Sequence, residues 1–122
     1  MIWIGKRVRF DAAHHLPNYE GLCRNVHGHT YIVEAEILVP INRETGMGVD
    51  FKVLSKVLEH EILGKFDHDD LNRFFANPTA EVLCEHFTHI LLTLIPGVEA
   101  VRVKLYETPD SWVEKVQYVE QQ

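Results

Sequence analysis

A chain of 122 residues, 46% hydrophobic and 25% charged, has the size and composition of one ordinary hydrophobic core, and a single domain over residues 1–122 is expected. A net charge of −6, with no segment dominated by Lys and Arg, argues against nucleic acid as the main partner, because phosphate neutralisation supplies most of that affinity. No apolar run approaches the ~18 residues of a membrane span, and Met1–Lys6 lacks the pattern of a secretory leader, so a cytosolic chain with reduced Cys23 and Cys84 is expected.

The first strand is predicted over roughly Ile4 to His14, with Val8, Phe10, Ala12 and His14 on one face and Arg7, Arg9 and Asp11 on the other. Pro17, Asn18 and Gly21 make Leu16 to Asn25 a loop. A second strand, from about Val26 to Val39, sets His27, His29, Tyr31, Val33, Ala35, Ile37 and Val39 on a common side. Turn residues fill Asn42 to Gly48. Asp50 then caps a helix that carries Leu54, Val57, Leu58 and Ile62 at helical spacing and ends near Gly64.

Phe66 to Phe75 reads as a polar connection. Pro78 is expected in the first turn of a second helix, whose apolar stripe is Val82, Leu83, Phe87, Ile90, Leu91 and Leu94 and which Pro96-Gly97 stops. A third strand, Ala100 to Glu107, alternates Val101, Val103 and Leu105 with Arg102, Lys104 and Tyr106, and Trp112 to Val119 forms a fourth. The order β-β-α-α-β-β predicts an α+β fold: a mainly antiparallel sheet with both helices on one face. Its open edges invite pairing with further copies of the chain.

The strongest local signal is His27-Gly28-His29 on a strand, because residues two apart project the same way and can grip one ion. His14, at the end of the neighbouring strand, is the candidate third ligand. Three imidazoles without a thiolate favour zinc with an open fourth position. Two other readings stay open on residues alone: hydrogen-bonded core or surface histidines, and a closed structural zinc site in which Cys23 joins His14, His27 and His29. Glu107 falls on the apolar face of its strand, where a carboxylate is costly unless paired, although it also fits an exposed strand end. Thr79 and Glu81 suit the start of a helix. Asp67-His68-Asp69-Asp70 reads as a solvated turn, Arg24 equally as a contact for an anionic ligand or an ordinary loop residue, Cys84 as a core thiol, and His86 and His89 as surface residues.

Five motifs occur in order: Phe10-Asp11-Ala12-Ala13-His14, Cys23-x-x-x-His27-Gly28-His29, Asp67-His68-x-x-Leu71-Asn72, Asn77-Pro78-Thr79-x-Glu81 and Tyr106-Glu107-Thr108. Together they resemble the 6-pyruvoyltetrahydropterin synthase superfamily over almost the whole chain, and specifically its 6-carboxytetrahydropterin synthase branch. The branch rests on the three residues between Cys23 and His27, where the pyruvoyl enzymes usually have five. His15 departs from the resemblance, since relatives often carry Arg there, and Asp69-Asp70 is more acidic than in many of them.

The resemblance implies the tunnelling fold, with subunits joined edge to edge into a barrel, as trimers or as the hexamer that two stacked trimers make. It implies active sites at subunit interfaces, zinc on His14, His27 and His29, Cys23 as proton acceptor, and His68 and Asp67 as further catalytic groups. Glu107 is implied as pterin anchor with a share in proton relay, and Thr79 as a second substrate contact. The implied reaction converts 7,8-dihydroneopterin triphosphate to 6-carboxy-5,6,7,8-tetrahydropterin, releasing acetaldehyde and triphosphate on the way to 7-deazapurines such as queuosine. The alternatives are the pyruvoyl-forming reaction, which keeps the side chain, and a noncatalytic zinc-bearing pterin-binding module.

Overall fold

Strands β1 (Ile2–His14) and β2 (His27–Val39) pair antiparallel along their full length, with Ile2 opposite Val39, Phe10 opposite Tyr31 and His14 opposite His27. This computed structural model describes residues 1–120. The pairing turns the period-two pattern into two chemically distinct faces. On one, Phe10, Ala12, Tyr31, Val33, Ala35, Ile37 and Val39 are buried. Phe10 stacks on Tyr31 at 4.9 Å between centroids and meets Phe87 edge-on at 6.1 Å. Rings buried in this way each contribute roughly 1.5–3 kcal/mol relative to exposure.

Asp50 caps α1 (Phe51–Leu58) by accepting the Lys52 N–H at 2.8 Å. The helix does not stop near Gly64 as expected. It continues through a π-helical turn, Glu59–Leu63, into α2 (Gly64–Phe66). The Gly64 N–H reaches back to the Glu59 carbonyl. A Cβ at Gly64 would lie 3.1 Å from that oxygen, so the glycine permits the wider turn rather than ending the helix.

A second correction concerns the sheet. The expected polar connection contains a two-residue strand, β3 (Asp69–Asp70), which pairs parallel with Ala12 and Ala13 on the free edge of β1. The sheet is therefore mixed and five-stranded, in the order β3-β1-β2-β4-β5. No apolar alternation announces β3, because backbone and flanking side chains hold it rather than burial of its own residues.

Helix α3 (Ala80–Leu94) starts two residues after Pro78, not at it. Thr79, in extended conformation, is the N-cap, and its Oγ1 accepts the Val82 N–H at 3.2 Å. Leu83, Cys84, Phe87 and Leu91 of α3 are buried, as are Leu54 and Leu58 of α1, which places the helices on the apolar face. His86 is half-buried, edge-on to Phe66 and Phe75, and so is less of a surface residue than predicted.

Strands β4 (Ala100–Thr108) and β5 (Ser111–Tyr118) complete the sheet. Its other face is a ladder of opposite charges, including Arg7 with Glu34 at 2.8 Å and Arg102 with Glu36. Among the described residues no helix is long and apolar enough to cross a membrane.

Candidate active site

Register alone gathers the three histidines. His14 lies directly opposite His27, and His29, two residues along β2, shares their face. Their ring centroids are 4.6–5.0 Å apart, and one ring nitrogen from each falls within 4.8 Å of the other two. His14 Nδ1 donates to the Pro78 carbonyl and His27 Nδ1 to the Asn25 carbonyl, both at 2.8 Å.

These bonds assign the protons to Nδ1, leaving both Nε2 atoms as acceptors that face each other at 3.1 Å. Two lone pairs so placed need a proton or a cation between them. The donor set fits a metal ion: three imidazoles, two of them oriented by carbonyls on their far nitrogens.

Glu107 closes the group. Its Oε1 is 3.5 Å from His14 Nε2 and 3.8 Å from His29 Nε2, so the strand-face reading of this carboxylate holds and its pairing is with the imidazoles. Burial lowers the pKa of His29, and the neighbouring His14 and His27 add to this, against a raising effect of Glu107. The neutral, metal-competent form of the ring is thereby favoured. Below them Tyr31 is fully buried, its hydroxyl 3.3 Å from His14 Nδ1, and burial raises its pKa.

Asp67 and His68 occupy the opposite face of the sheet. The Asp11 N–H donates to Asp67 Oδ1 at 2.9 Å, and the His68 N–H donates back to the Asp11 carbonyl at 2.6 Å. His68 Nδ1 is 3.1 Å from Asp67 Oδ2, and the two join Asp11 in a second cluster of potential ligands. The Asp11 N–H is the main cause that lowers the Asp67 pKa, with His68 adding to it and burial opposing.

His68 has φ 62°, the only described non-glycine residue in the left-handed region. Such backbone strain is concentrated at functional positions. Asp11, Gly28, Thr30, His68 and Asp70 line an open groove of about 520 Å³, and His29 of the imidazole cluster borders it as well.

Cys23 sits in the short 3-10 turn Leu22–Arg24, half-buried, and its sulfur belongs to neither cluster. The arrangement thus does not gather the four ligands that a Cys-His₃ structural zinc site requires. Thr79 spends its hydroxyl oxygen on the cap of α3, while Ala80 and Glu81 line a groove of about 180 Å³ with Glu107 and Trp112. Cys84 is a core thiol that donates to the Val103 carbonyl at 3.4 Å, and burial pushes its pKa up to about 11. The carbonyls of Asn25 and Pro78 escaped sequence reasoning, since no side-chain pattern marks a backbone acceptor. Tyr31 was visible only as the next inward residue after His29.

Residues 3–117 match the family described as 6-pyruvoyl tetrahydropterin synthase. The chain belongs to this family. Within it, a chain from Archaeoglobus fulgidus is 37% identical over 91% of this chain and 92% of its own length. The 6-carboxy-5,6,7,8-tetrahydropterin synthase of Synechocystis sp. is 36% identical over 84% of this chain and 85% of that one. The protein of the same name from Rickettsia felis is 31% identical over 93% and 99%. The 6-pyruvoyl tetrahydropterin synthase of Caenorhabditis elegans superposes with a TM-score of 0.80 over 93% of this chain and 94% of that one, at 22% identity. The architecture is the tunnelling fold, α+β, with its helices on one face of the sheet.

Proposed function

We propose that this family member is a cytosolic, zinc-dependent carbon–carbon lyase of 7-deazapurine (queuosine) biosynthesis. It converts 7,8-dihydroneopterin triphosphate and one water to 6-carboxy-5,6,7,8-tetrahydropterin with release of acetaldehyde and triphosphate. The observation that carries the reading is the convergence of three imidazoles with Glu107, in a chain whose relatives over most of its length bear that enzyme's name.

Held by His14, His27 and His29, zinc would supply Lewis-acid stabilisation of negative charge on the substrate's side-chain oxygens. Glu107 accepts the pterin's amino and ring N–H groups with one carboxylate, which places the substrate's side chain beside the imidazoles. Cys23, as thiolate, removes the weakly acidic C–H proton next to the ring. His68, oriented by Asp67 through its Nδ1, returns protons during elimination and carbon–carbon cleavage. Thr79 fixes the start of α3 beside the pterin groove and is the weaker substrate contact.

The family resemblance supports a dyad that serves the Cys23 of another subunit, and the placement of His68 away from the imidazoles agrees with that reading. The working form is then a homo-oligomer built from trimers. The free outer edge of β5 and the uncovered part of β1 supply the strands for such pairing.

Purified protein given 7,8-dihydroneopterin triphosphate should yield acetaldehyde and the carboxylated pterin. A pyruvoyl product without acetaldehyde would assign the alternative reaction, which a 34% identical 6-pyruvoyl tetrahydrobiopterin synthase of Drosophila melanogaster favours over 88% of this chain and 74% of that one. Binding of the pterin without any product would leave a noncatalytic module. Cys23→Ala should retain metal and fold while turnover drops by about 10²–10⁴-fold. Release of metal by that variant would make Cys23 a ligand instead.

A further inference from the structure

Residues 67–72 run beside the C-terminal end of β1 and are fastened to it at both ends by side chains. At the first end Asp67 accepts the Asp11 N–H, and in the middle Asp69 and Asp70 pair with Ala12 and Ala13. Backbone pairing then stops, because Leu71–Arg73 turns into a short 3-10 helix. The Asn72 carboxamide takes over. Its Oδ1 accepts the His15 N–H at 2.9 Å, and its Nδ2 donates to the His15 carbonyl at 3.0 Å.

A primary amide presents the same acceptor and donor as a peptide unit, so Asn72 prolongs the ladder one residue past the end of β1. Asp has the acceptor but no donor when ionised, and Ala has neither. Asn72 is itself fixed: its N–H donates to Asp70 Oδ1 at 3.0 Å, and Leu71 beside it is fully buried.

Immediately beyond the clamped residue, the chain enters the loop that carries Cys23. The Leu16 N–H, next along the chain from His15, donates to the Cys23 carbonyl at 2.7 Å. A series of contacts therefore runs from the Asp67–His68 segment through Asn72 and His15 to Cys23. His14 stands outside this series, because the β2 ladder and the Pro78 carbonyl hold it independently.

We infer that Asn72 is a positioning residue: by gripping the His15 backbone it fixes the place of the Cys23 thiol relative to β1. The kinetic meaning of that role rests on Cys23 being the base proposed above, but the placement itself does not. The contact from Asn72 Nδ2 to the His15 ring, at 3.4 Å, is secondary, since the clamp acts on backbone atoms.

The test compares the full-length protein with Asn72→Ala, Asn72→Asp and His15→Ala. Alkylation of Cys23 by iodoacetamide is followed by mass spectrometry, with buried Cys84 as internal reference. In Asn72→Ala, Cys23 should alkylate at least about fivefold faster as the half-buried loop loosens, while Cys84 and metal content stay unchanged. Turnover should fall about tenfold or more, with KM within about threefold, as expected for a misplaced reacting group. Asn72→Asp, isosteric and retaining one of the two bonds, should fall between, and His15→Ala should match the parent protein.

A parental alkylation rate in Asn72→Ala would overturn the inference, as would parallel acceleration of Cys84, which signals general loosening. Should the parent protein turn over no pterin, the functional reading fails, and the alkylation rates alone decide the clamp.

Discussion

His14 is 1% exposed and held by a carbonyl and a tyrosine hydroxyl, whereas the His68 side chain, on the far side of the same sheet, is 77% exposed and meets one carboxylate. The first cluster takes its geometry from strand register and from buried partners, so one chain is enough to build it. The second is placed through its backbone, docked on Asp11 at a strained φ, with the ring left open to a groove. On the proposed reading, the groups that would hold the ion are fixed on several sides, while the group that would move a proton to an arriving substrate is fixed only at its root.

Removing one member of the locked cluster should break it outright. His27→Ala should lower bound metal below about a tenth of a molar equivalent at micromolar zinc and abolish turnover, because one of three ligands is gone. Elemental analysis after dialysis measures this, and full retention of metal would mean that the imidazoles do not act together. The open cluster should respond in the opposite sense. His68→Gly relieves the left-handed backbone, so the protein should gain about 0.5–1 kcal/mol in denaturant unfolding. It should keep its metal while losing about 10²-fold or more in turnover.

The smallest effect is on acid stability. The folded pKa of Asp67 lies below the ordinary carboxyl value of about 3.9, so its contribution is whole above that pH and is lost as acidification passes through the folded pKa. Asp67→Asn keeps an acceptor for the Asp11 N–H but cannot titrate. Its unfolding curves between about pH 4 and pH 2 should therefore fall less steeply than the parent's. Asp69 and Glu34, also lowered by their hydrogen bonds, keep the rest of that slope in place.

Alternation made β1, β2 and β4 readable, and with them the shared face of His14, His27, His29 and Glu107, because one buried side imposes a period on every residue. Where no face is buried the signal disappears. Asp69 and Asp70 form a strand through backbone pairing that their polar side chains do not report, and the Asn72 clamp imitates a peptide with a side chain. Gly64 misled as a helix stop because the widened π-turn uses a glycine for clearance. Pro78 misled by two positions, since Thr79 caps the Val82 N–H and the first helical residue is Ala80. The partition of the two clusters onto opposite faces follows from Asp11 and His14 differing by an odd number of positions, but only once β3 is known to dock there.

Four consecutive residues tie three tasks together at the start of α3. The Pro78 carbonyl aims His14, the Thr79 hydroxyl begins the helix, and Ala80 and Glu81 form a wall of the groove that Glu107 borders. Nothing between Asn77 and Glu81 can lengthen without uncoupling the ligand's aim from the wall's position. The loop between Leu16 and Asn25 is under a comparable constraint, since it carries Cys23 and aims His27 through the Asn25 carbonyl.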